Sequence, residues 1–112
     1  MVVWRKSMDV AVMIYALCQK LPKSELYTLQ SQMKRAAVSI PSNIAEGQSR
    51  LSDKEFARFL SIAKGSRSEL ETHLQLCVRL GYLTEEDILE VSMIMTEISK
   101  MLATLIGKLT KS

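Results

Sequence analysis

Seven residues near the C-terminus, Ile88, Val91, Met95, Ile98, Leu102, Leu105 and Leu109, follow one another at steps of three and four without a break. That alternation keeps every one of them on one side of an α-helix and cannot be laid on a strand, whose faces repeat every second residue. It is the spacing of helices packed side by side along an apolar seam. A helix this committed to one apolar line must find partners, so the rest of the chain is read for them. Ile94 and Met101 add a second apolar line beside the first, and Thr84-Glu85-Glu86-Asp87 supplies a cap and a negative first turn at its start.

Three further helices are predicted. The first runs from about Val3 to Lys20, with Trp4, Met8, Ala11, Tyr15 and Cys18 on one stripe and Val10, Ile14, Leu17 and Leu21 widening it; Leu21-Pro22 stops it. The second is expected to start at Ser24 as cap, with Leu26, Leu29, Met33, Ala36 or Ala37, Ile40 and Ile44 as its apolar line. Pro41 inside it predicts a kink or short break near Ser39, and Gly47 a left-handed stop. The third opens at a Ser52…Glu55 capping box, continues through Phe56, Phe59, Leu60, Ala63, Leu70, Leu74, Cys77 and Val78, and ends at Gly81. Short loops between four amphipathic helices imply antiparallel neighbours, hence an all-α, up-down-up-down four-helix bundle with residues 1–112 as a single domain.

The first and last helices carry more apolar surface than one core needs. The surplus points to self-association, because extended apolar patches on small proteins mark interfaces. No stretch is long and uncharged enough to span a membrane, no signal peptide is recognisable, and Cys18 and Cys77 are far apart in sequence, so the chain reads as cytoplasmic with two buried free thiols. Charge is uneven: eleven Lys/Arg against five Asp/Glu up to Arg67, then four against seven. Such a division suits a polyanionic partner or head-to-tail self-contact.

Catalytic and metal constellations are weak. His73 is the only histidine; Glu69, His73 and Cys77 share a helix face but fall short of a zinc ligand set. Ser39, Ser66 and His73 lack the strand-turn-helix elbow that arms a serine nucleophile. Neither an enzyme, a cofactor nor a metal is expected. Gly65-Ser66 in mid-helix suggests a close helix crossing. A polar line on the second helix, Gln32, Arg35, Ser39, Asn43, Glu46 and Arg50, reads either as a solvated face or as a network in which Arg35 pairs with Glu69 or Glu25, with Asn43 and Glu46 serving backbone groups freed by Pro41. Arg50, Lys54, Arg58, Lys64 and Arg67 form one basic region able to contact RNA or DNA backbone; the bland reading is solubilising charge.

Several of these positions fall in a recognisable pattern: Gln32, Arg35 to Pro41, Asn43 to Gly47 (the S-I-P-x-N-I-A-E-G run), Arg50, Phe56, Phe59-Leu60, Ala63, Gly65-Ser66 and Glu69. Trp4, Tyr15, Pro22, Glu25, Tyr27 and the Leu80-Gly81-Tyr82-Leu83 turn fit it too. The chain resembles the bacterial four-helix-bundle proteins encoded in intervening sequences of large-subunit (23S) ribosomal RNA genes, once labelled ribosomal proteins. The resemblance implies a homopentamer of bundles. It also implies kinship with the accessory variability proteins of diversity-generating retroelements, which bind nucleic acid and a reverse transcriptase. No catalytic residues carry over, and the shared polar positions Glu25, Arg35, Asn43, Glu46, Arg50 and Glu69 read as structural. The expectation is therefore an oligomeric RNA- or DNA-binding adaptor, the alternative a scaffold for a protein partner.

Overall fold

The computed structural model describes residues 1–111. Four helices appear in order: α1 Val2–Cys18, α2 Leu29–Gln48, α3 Asp53–Arg79 and α4 Glu85–Leu109, with a 3-10 turn at Lys23–Glu25 between the first two. Each helix packs on its sequence neighbours and α1 closes on α4, while the two diagonal pairs make no close backbone contact among the described residues. Lys6 meets Glu97 and Lys20 meets Asp87 across α1 and α4. Cys77 meets Met33, and Ser66 meets Ser39, across α3 and α2. Partners therefore run in opposite directions, as the short loops require.

The α4 line behaves as its spacing demands. Ile88, Val91, Met95, Ile98 and Leu102 are essentially sealed from solvent, and Leu105 and Leu109 are half-buried at the open end of the bundle. Thr84 and Asp87 form a reciprocal capping box, Asp87 N–H donating to Thr84 Oγ1 at 3.0 Å and Thr84 N–H to Asp87 Oδ2 at 2.9 Å. At Ser52 only half of the expected box forms. Its Oγ accepts from Glu55 N–H at 3.1 Å, whereas the Glu55 carboxylate turns to Arg58. Gly81 ends α3 at φ +79°, with Tyr82 N–H on Cys77 O and Gly81 N–H on Val78 O, a paired closure that only a left-handed residue permits.

Three expectations are corrected. The core line of α1 is Val3, Ser7, Val10, Ile14 and Cys18, whereas Trp4, Met8 and Tyr15 lie on its exposed side. Two lines overlap on this helix, and only the one continuous with Leu21 turns inward. The second helix starts at Leu29 rather than near Ser24. Glu25 accepts hydrogen bonds from Thr28 and Tyr82, and Gln30 Nε2 donates to Pro22 O at 3.3 Å, which holds the connection as turns. Nor does α2 break at Pro41, which is buried within it. Asn43 Nδ2 donates to both Ser39 O (2.8 Å) and Ser39 Oγ (2.9 Å), tying together the turn that spans the proline.

Neither Gly47 nor Gly65 takes the role expected of it. Gly47 is buried inside α2, and a Cβ there would sit 2.8 Å from Phe59 Cβ and 3.2 Å from the Phe56 carbonyl. The close crossing of α2 on α3 is thus at Gly47, and the residue is no left-handed stop. Gly65 is exposed with open space around its Cβ position. Gly47→Ala should accordingly cost roughly 1–3 kcal/mol through overpacking. Gly65→Ala should stabilise by about 0.5–1 kcal/mol, because alanine is the better helix former. Urea denaturation midpoints of the two variants check this; equal shifts would contradict the crossing.

Candidate interaction surfaces

The antiparallel arrangement brings the start of α1, the α2–α3 turn and the end of α4 to one end of the bundle. Arg5, Arg50, Lys54, Arg58, Lys108 and Lys111 gather there, against Glu46, Asp53 and Glu55. The opposite end holds Glu85, Glu86, Asp87 and Glu90 of α4. The first end thus carries a surplus of cations, and the second, where Lys20, Lys23 and Arg79 also lie, a smaller surplus of acids.

The basic residues expected as one region fall into two groups. Arg58 and Arg50 lie over the Phe59 ring, their guanidinium carbons 4.5 and 4.9 Å from its centroid. Arg58 is also held by Glu55 at 3.0 Å and Arg50 by Glu46 at 3.2 Å. Lys54 stands exposed between them without an ion-pair partner among the described residues. The Arg58 hydrogen bond holds the Glu55 carboxyl below its ordinary range, so the pair is ionised on both sides near neutrality. Arg67 lies elsewhere. Nine residues at 3.6 per turn place it on the opposite side of α3 from Arg58, where its side chain is 14% exposed and bonded to Glu71 at 2.9 Å. Lys64 is half-buried. Helical phase, which charge counting along the sequence ignores, separates them.

The polar stripe of α2 is partly a network, with different partners from those expected. Ser39 Oγ and Ser66 Oγ are 2.8 Å apart across the α2–α3 seam, with Asn43 on Ser39. Arg35 is exposed and pairs with neither Glu69 nor Glu25 among the described residues. Glu69 approaches His73 Nε2 at 3.6 Å. Glu25 bonds Tyr82 Oη at 2.9 Å, linking the two turns at the acidic end. Lys34, its neighbour in sequence, is the half-buried cation instead, 4.9 Å from the Tyr15 ring centroid.

No group of three or more His, Cys, Asp or Glu fit to hold a metal occurs among the described residues. The Ser39–Ser66 pair makes no hydrogen bond to His73, so the three do not form a nucleophile and base. Both thiols are free and buried; Cys77 points its S–H at Met33 Sδ, 3.6 Å away, and burial pushes its pKa up to about 11. Among the described residues no helix is long and apolar enough to cross a membrane.

The surface that periodicity alone did not assign is apolar. On the outer side of α1 and α2, Trp4, Met8, Val12, Tyr15 and Val38 are 37–69% exposed. Trp4, Met8, Ala11, Val38, Pro41, Ser42 and Ala45 line a groove of about 320 Å³ between the two helices. The signal for it was present in the sequence as the second apolar line on the first helix. What was missing was the choice of which line faces inward.

The molecule is thus an all-α four-helix bundle whose distinctive surface features are an exposed apolar α1–α2 face and a cluster of cations at one end. It belongs to the family of 23S rRNA-intervening sequence proteins, matched over residues 1–104. Its fold is similar to the crystal structure of a protein of unknown function from the S23 ribosomal protein family of Bacteroides thetaiotaomicron. That similarity is at TM-score 0.85 and 32% identity, over 93% of this chain and 97% of that one. No curated protein matches the chain in sequence.

His73 offers a pH test of its burial. Desolvation holds its pKa below the ordinary histidine value, with Glu69 opposing more weakly. The unfolded chain therefore takes up the proton first, and stability is lost as pH falls through about 6.5 toward the lower folded value. The denaturation midpoint should fall between about pH 7.5 and 5.5, and His73→Gln should flatten that fall. An unchanged slope in the variant would assign the pH dependence to other groups.

Proposed function

We infer that this chain is a non-catalytic, self-assembling binding protein whose assembly repeats its basic end to engage RNA or DNA backbone. The observation that carries self-assembly is the apolar α1–α2 face: Val12 alone is 69% exposed, with Trp4, Met8, Tyr15 and Val38 around it. A chain of this size gains by covering such a patch. Five copies is the number that the family resemblance implies. The family's own description names an rRNA intervening sequence as its origin, which is a statement about the gene and not about a ligand.

The nucleic-acid part rests on the grouping of Arg50, Lys54 and Arg58 at one end with Arg5, Lys108 and Lys111. Arg50 and Arg58 are both stacked and paired, so a phosphate must compete there with Glu46 and Glu55. One copy binds weakly, and repetition of the patch provides avidity. Aromatic stacking contributes little, since Phe59 is covered by the two guanidinium groups.

Two measurements test the reading. Native mass spectrometry of the wild type should give a multiple of the 12.6 kDa chain, and Val12→Arg should reduce it to one copy. A wild type that stays single at high concentration would remove self-assembly. Labelled single- and double-stranded RNA and DNA, titrated at low and moderate salt, should bind the oligomer in a steeply salt-dependent manner. Reversing Arg50, Lys54 and Arg58 to Glu should lower the affinity at least tenfold without changing the mass. Absence of binding at low salt would instead favour the alternative, a scaffold docking a protein partner on the same assembly.

A further inference from the structure

The α1–α2 face accounts for one side of a self-contact, and a second apolar patch lies elsewhere on the molecule. On α4, Leu89 and Met93 are 59% and 60% exposed, one turn apart, with the exposed carboxylates of Glu86 and Glu90 beside them. Neither carboxylate has an ion-pair partner among the described residues; the acids of α4 that pair within the chain are Asp87 and Glu97. The core line of the same helix faces the opposite way, so Leu89 and Met93 contribute nothing to the bundle interior.

The two patches are complementary in charge. Arg5, Lys34 and Arg35 border the α1–α2 face, and Arg35 is an exposed cation without an ion-pair partner among the described residues. Up to Arg50 the chain holds seven Lys/Arg against three Asp/Glu; beyond it the balance is eight against nine. One layer of the bundle is therefore cationic and the other slightly anionic.

They also lie at the same height. The contacts Lys6–Glu97 and Lys20–Asp87 set the register of α1 against α4. Val12 and Tyr15 lie between those two contacts on α1, as Glu90 and Met93 do on α4, so the two patches occupy the same stretch of the bundle axis. Two copies standing side by side and pointing the same way would bring these groups opposite one another with little slide along the bundle axis.

The geometry points to a head-to-tail contact in which the α1–α2 face of one copy receives the Leu89–Met93 patch of the next, with Lys34 and Arg35 against Glu86 and Glu90. This rests on the self-assembly reading above and specifies its partner surface as a second copy's α4. Because the two surfaces differ, each copy keeps one of each, and the contact propagates until rotation closes it into a ring. All copies point alike, so every Arg50–Lys54–Arg58 cluster falls on one rim of the ring, where repetition is most effective.

The experiment mixes two blocked variants. Val12→Arg spoils the receiving face and Met93→Arg the inserting one; both positions are exposed, so the helices accommodate the change, and thermal midpoints by circular dichroism verify it. Each variant alone should run as a single copy in native mass spectrometry. An equimolar mixture should give a two-copy species holding one of each, because only one intact interface can form between them. If Met93→Arg assembles like the wild type, or if both are single and the mixture stays single, the head-to-tail contact is overturned. A wild type that is itself a single copy sinks the underlying self-assembly reading, a result distinct from either of these.

Discussion

The close approach of α2 and α3 is the constraint on which the rest of the molecule depends. At Gly47 the two helices come so near that no Cβ fits between the α2 backbone and Phe59. A turn or two away, Ser39 and Ser66 meet hydroxyl to hydroxyl, and Asn43 anchors Ser39 in turn. Small polar groups can line such a seam only because each finds a partner there; an unpaired buried hydroxyl would cost far more than the hydrogen bond gains. This seam keeps α2 continuous through Pro41 and fixes the α2–α3 turn, and with it the positions of Arg50, Lys54 and Arg58 around Phe59.

The looser pairing of α1 with the bundle has the opposite consequence. Its inward line is satisfied by the common core, with Val10 and Ile14 sealed, and its second line is left over. On α4 the division is similar, with a complete buried line and the outward Leu89 and Met93. The tight pair in the middle of the chain thus builds the polar seam and carries the net positive charge, eight Lys/Arg against five Asp/Glu from Leu29 to Arg79, and the terminal helices carry much of the exposed apolar surface. An assembly through the α1–α2 face and α4 would leave Arg50, Lys54 and Arg58 free, so the two parts of the proposed function share only Arg5, which borders both surfaces.

Much of the fold was legible beforehand because periodicity is a local property. The unbroken steps from Ile88 to Leu109, the Ser52 and Thr84 caps and the Gly81 stop each depend on residues within a turn or two of one another. The candidate surfaces were only partly legible. Arg67 reads as one more cation in a basic stretch until helical phase turns it away from Arg58 and against Glu71. Arg35 reads either as part of a solvated face or as a network member; it lies in solvent, and Lys34 is the cation that the Tyr15 ring partly covers.

What the amino-acid order determined by itself is the helical state, its approximate limits, the bundle topology and membership of a family of such bundles, since spacing, caps and short loops suffice for these. Tertiary structure decided which of two apolar lines on α1 enters the core, which glycine accommodates a crossing, and which charges share an end. Those choices turn on the rotation of each helix about its axis and on distances between residues dozens of positions apart. Both are settled only when all four helices pack at once.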